Sequence, residues 1–351
     1  MAKALKLKSE GITVPDSLEA ANRLFYERGW TDGLPIIPPT KERVLEMLAG
    51  TDRDPQDVVA CVAPQSGEAT VEKIAINAVM AGCLPEYLPV VLTAIEAMAE
   101  EPFNLSSIQA TTHPCAPLVI VNGPLAKKLD INCGCNAFGQ GWRANATIGR
   151  AIRLVLLNVG GGTPGTVDRS TQGQPGKYTY CIAENEAESP WVPLHVERGF
   201  AAEESTVTVT AAEGPHNIND HESITGKSIL TTVAGTMAIT GSNNTTYMVG
   251  EPLLALGVEH AATIASDGFS KDDIKTFIFE NARIPIARFS PENIARRKQF
   301  SKHYGEPDEN TLAPITKSRE DIMVIVVGGA GKHSSWMPTF GMSRSVTKAI
   351  R

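Results

Sequence analysis

An α/β fold in two lobes, with mixed sheets and flanking helices, is predicted by three features of this 351-residue sequence. Segments of helical and strand-like apolar period alternate along the chain, the pattern of layered α/β architectures. Short apolar runs, PLVIVN at 117–122 and IMVIVV at 322–327, are too short for stable helices and suit buried strands. The chain also exceeds the roughly 250–300 residues at which single cores stop growing, so two domains are expected. The stretch GGTPGTVDRSTQGQPGK at 161–177 is dense in Gly, Pro, Ser and Thr and marks a boundary or mobile loop. This places an N-terminal lobe at 1–165, containing a Cys-Gly-Cys loop, and a C-terminal lobe at 166–351 ending in a strand and a Gly-rich loop.

In chain order, Ser17 caps a helix over 17–29, TDGLPIIPPT at 31–40 forms an extended connector, and a second helix starts near Lys41. From Thr70, the residues Ile74, Ala75 and Ala78 share a helical face that Gly82 terminates. Pro85 and Pro89 then open a helix with Val91, Ile95 and Met98 inward, giving a helical hairpin. The 117–122 strand, a glycine-bearing loop and a helix from about Trp142, burying Ile148, Ile152, Val155 and Val159, form a βα unit. Strands are expected at 177–183 and, by strict alternation, at 205–210 (STVTVT), with helix resuming from about Ser223. Ser270 and Asp273 give a capping-box start to a helix that turns Ile274, Phe277 and Ile278 inward. The second half of the charged region 291–320 reads as a solvated linker or surface loop.

Composition excludes several functions. Lys and Arg number 32 against 39 Asp and Glu, and no basic stripe with interleaved aromatics exists, so nucleic acid is not the expected partner. No apolar stretch has the length of a signal peptide core or a bilayer span, which predicts a cytoplasmic protein without membrane contact. Six cysteines are too few for a disulfide scaffold at this length. No dinucleotide fingerprint is present. The P-loop template fails twice in VVGGAGKHSS, because Val326 stands where glycine is needed and His333 where Ser or Thr is needed. There is thus no NAD or ATP motif.

Four constellations could carry chemistry. In INCGCNAFGQGWR, Cys133 and Cys135 precede a helix whose dipole, with Arg143, favours a thiolate, although the cysteines lie some residues upstream of the helix start. They could equally be a redox dithiol, half of a metal site, or small residues packing a tight turn. In GPHNINDHE, His216, Asp220 and His221 offer metal-binding nitrogen and oxygen atoms, while the same Asn and Asp serve as turn residues and caps. In ENEAESPWVPLHVER, Glu184, Trp191, His195 and Arg198 form a proline-shaped segment suited to acid and base work or to a solvated turn. The C-terminal loop with Gly329, Gly331, Lys332 and His333 could hold a carboxylate or phosphate and move protons. His260, in a helix, reads as a satisfied structural residue.

Five phrases together, RLFYERGWTDGLPIIPPT, KIAINAVMAGCLPEYLPVVL, GWRANATIGRAIRL, ENEAESPWVPLHVERGF and GGAGKHSSWMPTFG, resemble a family of bacterial proteins associated with the UGSC-motif (seleno)proteins. The resemblance spans most of the chain. It implies a partner protein carrying such a motif, hence one subunit of a two-protein enzyme. The tetrad itself is absent here, so no UGSC-type redox role is carried over.

The leading expectation is a small-molecule enzyme of lyase or hydrolase type acting on a polar, anionic substrate. Cys133 or Cys135 would be nucleophile or ligand, His333 or His195 the base, and Arg143 and Lys332 the anion holders. Glu184, Trp191, Arg198, Gly329 and Gly331 are the further substrate-binding candidates. A metal-dependent lyase or hydratase, with a divalent ion on His216, Asp220 and His221, is the second expectation, and a non-catalytic partner subunit the third. A homo- or hetero-oligomer is expected in each case.

Overall fold

The computed structural model describes residues 7–296, 308 and 310–351. The fold is α/β and divides into two compact units. The first comprises the described residues up to Glu184, with Leu194–Glu213 and Ser343–Arg351; the second comprises Asn185–Pro193 and the described residues from Gly214 to Met342.

The boundary expected at 165/166 lies inside the first unit, for a topological reason. Strand Cys181–Ala183 pairs in parallel with Ala116–Asn122, with Val119 opposite Cys181, so the chain passing through 161–177 returns to the sheet it left. The ion pair between Lys177 Nζ and Asp168, at 2.7 Å, and the Thr171 N–H bond to Thr112 O, at 3.0 Å, fasten that segment. The strand expected at 177–183 is confined to Cys181–Ala183, because Pro175–Lys177 forms a 3₁₀ turn instead.

Four strands build the sheet of the first unit, in the order Val346–Ala349, Thr206–Ala212, Ala116–Asn122, Cys181–Ala183. All seven residues of Ala116–Asn122 are buried, as its unbroken apolar run predicts. Thr206–Ala212 is buried throughout as well, although its alternation predicts one wet face. Helix Leu88–Met98 packs on this strand, and the hydroxyl of Thr208 meets that of Thr347 at 2.8 Å on the neighbouring strand, so a hydroxyl that alternation would send to water is satisfied inside.

Helices Val71–Ala81, Leu88–Met98 and Arg143–Asn158 pack on one another. Their starts and stops follow the sequence: Thr70 caps the first, Gly82 ends it in the left-handed region at φ 89°, and proline stands in the first turn of the second. The helix predicted near Lys41 is Lys41–Leu48, and that predicted over 17–29 is Leu18–Glu27 with Ser17 as cap. The connector between them is held by Asp32, whose carboxylate takes two bonds from Arg150, at 2.8 and 2.9 Å.

The main sheet of the second unit runs Met323–Val326, Leu253–Leu256, His333–Met337, His216–Asn219. The first two strands are parallel; His333–Met337 is antiparallel to both of its neighbours. Helices Gly226–Met237, Val258–Ser266 and Lys271–Asn281 pack together beside it. The last of these begins with the predicted Ser270/Asp273 capping box. Their apolar faces close a core around Leu230, Leu254, Ile274, Val324 and the fully buried Trp336. Each such side chain contributes about 1.5–3 kcal/mol of burial. Of the linker expected in the second half of 291–320, residues 306, 307 and 309 lie outside the described residues. The part that follows forms the strand Leu312–Pro314, paired with Arg283–Pro285, and a 3₁₀ turn at Arg319–Asp321. Among the described residues, no helix is long and apolar enough to cross a membrane.

Candidate functional site

The apolar strand Met323–Val326 leads into Gly328 and Gly331, both at positive φ (116° and 136°), which lets the backbone reverse and enter His333–Met337. This strand pairs with His216–Asn219, placing His333 opposite Asn219 and Trp336 opposite His216. The register brings two separately nominated segments together. Nε2 of His221 lies 3.2 Å from Nε2 of His333, with the rings edge to face at a centroid distance of 5.0 Å. Lys332 Nζ donates to the carbonyl of His221 at 2.9 Å. Both histidines are exposed and Lys332 is half-buried.

The hydrogen bonds select one tautomer of each ring in its neutral form. His333 Nδ1 lies 2.9 Å from Asn217 Oδ1, which can only accept, so Nδ1 carries a proton and, in the neutral ring, Nε2 is the acceptor. His221 then donates its Nε2–H to that lone pair, leaving its own Nδ1 as an acceptor. A neutral imidazole with a bare nitrogen can take a proton from a bound molecule and hold the charge that results.

A buried chain of hydrogen bonds braces this corner from behind. Gly257 N–H donates to Ser334 Oγ at 3.0 Å, and the Ser334 hydroxyl lies 2.8 Å from His260 Nδ1. His260 Nε2 donates to the carbonyl of Asp220 at 3.0 Å. That carbonyl only accepts, so Nδ1 of His260 is the acceptor for Ser334. A serine hydroxyl on a histidine nitrogen is also the pairing of a nucleophile with its base, but Ser334 is 4% exposed and its oxygen is already occupied by Gly257, so the pair locks strand to loop. His260 is therefore the satisfied structural residue expected of it.

Asp220, beside His221, turns inward: Thr232 Oγ1 donates to Oδ2 at 2.6 Å and Ser223 N–H to Oδ1 at 2.9 Å. Burial alone would raise its pKa, but the bonds donated by Thr232 and Ser223 hold its carboxyl below the usual range. His216 points to solvent at the start of its strand. Among the described residues, no group of three or more His, Cys, Asp or Glu is placed to hold a metal ion, so His216, Asp220 and His221 do not converge. Gly329 and Gly331 lie in the loop before Lys332 and are half-buried. Trp191, also in the second unit, packs against its core and donates Nε1–H to Phe269 O at 2.9 Å.

The remaining candidates belong to the first unit. Glu184 is 3% exposed, and its Oε2 accepts from Asn122 Nδ2 at 2.7 Å and from the Leu194 N–H at 2.8 Å, anchoring the start of helix Leu194–Glu197. His195, on that helix, is fully buried. Arg198 donates to Thr347 Oγ1 and Ser345 Oγ, at 2.9 and 2.6 Å. Arg143 opens its helix and donates to Gly82 O at 3.1 Å. Cys133 is half-buried and Cys135 exposed, neither in a disulfide. By contrast Cys83, Cys115 and Cys181 are buried; desolvation pushes the first two thiols up to about 12 and raises that of Cys181 too. A cavity of about 720 Å³ also opens in this unit, lined by Arg53, Thr93, Glu96, Phe200 and Lys348. Arg53 and Glu96 pair with each other across 2.6 Å, and none of the nominated residues lines the cavity. It therefore offers weaker chemistry than the histidine pair.

Sequence reasoning nominated both histidines and Lys332 but missed Asn217, Ser334 and the brace through His260. Only the strand pairing could have revealed them. No protein-family model matches the chain, and no curated protein matches it.

Proposed function

We propose that the second unit carries a small-molecule active site of lyase or hydrolase type, in which His221 and His333 move a proton and Lys332 holds the negative charge of an anionic substrate. The observation that carries this reading is the 3.2 Å approach of the two Nε2 atoms, with the Lys332 ammonium bonded to the His221 carbonyl. With one imidazole proton committed to Asn217, proton uptake falls to His221 Nδ1, and the shared Nε2–H can shift to His333 as it does so. Lys332 retains donors beyond its bond to His221 O and can meet a carboxylate or phosphate. The proposed chemistry draws on no cysteine thiolate. A partner subunit, implied by the family resemblance, belongs to the same proposal.

The test is titration calorimetry with a panel of small di- and tricarboxylates and phosphate monoesters, followed by turnover assays on those that bind. At least one should bind, with the Lys332→Met variant weaker by about tenfold, equivalent to about 1.4 kcal/mol. His333→Gln should bind but not turn over. Absence of binding across the panel, or binding unchanged in Lys332→Met, overturns the proposal.

One observation favours a second reading. Two imidazole nitrogens on a tetrahedral zinc ion, each at about 2.0–2.1 Å, stand about 3.3 Å apart, close to the separation here. Stoichiometric metal in untagged protein, lost in a His221→Ala, His333→Ala double variant, would move the assignment to a metal-dependent lyase.

A further inference from the structure

We infer that Cys133 and Cys135 form a dithiol that exchanges with low-molecular-weight disulfides, a second reactive centre independent of the histidine pair. A disulfide needs Cα atoms about 4.4–6.8 Å apart. Residues two apart on a fully extended chain stand at about 7 Å, so a bend between them brings the pair into range. The chain bends at Gly134, and the bond from Ala137 N–H to Gly134 O, at 3.1 Å, closes a turn that starts there.

The loop is built to keep that shape. Asn132 grips both sides of the pair: its Oδ1 accepts from Gly134 N–H and its Nδ2 donates to Cys135 O, each at 2.9 Å. Asn145, in the first turn of helix Arg143–Asn158, holds Asn132 in turn by accepting its N–H at 2.7 Å and donating to its carbonyl at 2.9 Å. Both asparagines are buried, 8% and 5% exposed, while the thiols they display are half-buried and exposed. Two buried amides are spent on presenting two cysteines, whereas Cys83, Cys115 and Cys181 are sealed in the interior.

Exposure sets the order of events. The Cys135 thiolate attacks one sulfur of a disulfide R–S–S–R; a Cys135–S bond forms, the S–S bond breaks, and RS⁻ leaves. The Cys133 thiolate then attacks Cys135 Sγ, forming the Cys133–Cys135 bond and expelling the second RS⁻. The two cysteines lose two electrons to the reactant, and their two protons end on the two released thiols.

The test uses the full chain with oxidised and reduced glutathione at set ratios, then alkylation and peptide mass spectrometry. Cys61, exposed and solitary in sequence, is the internal control. A two-hydrogen loss confined to the Cys133–Cys135 peptide, reversed by reduced glutathione, is expected, and Cys133→Ser should trap glutathione on Cys135. Cys135→Ser should slow the first step by about tenfold or more, since the attacking thiolate is gone. Glutathione adducts forming on Cys61, Cys133 and Cys135 at similar rates without an internal bond, or no oxidation at any ratio, would overturn the inference. Neither result bears on the histidine site.

Discussion

Ser334 shows how much one hydroxyl can decide in this protein. It accepts from Gly257 and donates to His260, so Ser334→Ala leaves a buried N–H and a buried imidazole nitrogen without partners. A loss of about 1–3 kcal/mol is expected by urea denaturation, since an unsatisfied buried group bears its full desolvation penalty. A variant as stable as the parent would show that the brace is idle. Asp220 gives a pH dependence. Its folded pKa lies below its unfolded value of about 3.9, so the ionised carboxylate adds stability at all pH above that value and loses it as pH falls through the lower, folded one. Asp220→Asn should therefore melt below the parent at neutral pH, and the gap should close in acid; a gap that persists there refutes the assignment. At this scale the sequence was half legible. His221 and His333 stand out as histidines in polar loops, but 112 residues separate them, and nothing in either segment announces the other.

At the scale of elements, patterns that depend on local physics were readable. Ser17, Thr70, Ser270 and Gly82 mark helix ends because capping is settled within one turn. The STVTVT segment was legible as a strand but not as a buried one, since burial of its second face is decided by helix Leu88–Met98, far away in sequence. Gly149 is a similar case. A glycine inside helix Arg143–Asn158 weakens the helix by about 0.5–1 kcal/mol, yet a Cβ there would stand 2.4 Å from Thr179 Oγ1 and from Tyr180 N. The approach of Tyr180, which precedes Cys181–Ala183, requires the missing side chain. Gly149→Ala should thus destabilise by about 1–3 kcal/mol despite the better helix former, as overpacking does. Stabilisation in a denaturant series would mean that the helix and the 179–180 backbone can part freely. Gly257 plays the same part near the histidine pair, where a Cβ would collide with the His333 carbonyl.

For the whole molecule, the two-unit division was readable from length, but its path was not. A composition-based boundary assumes that each unit is one stretch, whereas the first unit here is assembled from three. The strand Val346–Ala349 completes its sheet by pairing with Thr206–Ala212, Val346 opposite Val209 and Ala349 opposite Thr206. Removing residues 343–351 should leave those partners unprotected: amide exchange across 206–212 should accelerate by about tenfold or more, the mark of a lowered local opening energy. Unchanged protection would show that the edge strand is dispensable.

That late strand also imposes an order of assembly in time. Ala116–Asn122 and Thr206–Ala212 leave the ribosome early and can pair at once, but the free flank of Thr206–Ala212 stays open until residues 346–349 have emerged. At about 5–20 residues per second, synthesis of the intervening stretch takes many seconds, and all of that time falls after Thr206–Ala212 has been made. Throughout it, the nascent chain offers an unpaired, β-rich edge to its neighbours on the same messenger. The pace of translation past residue 212 therefore sets how long that edge waits for its partner strand.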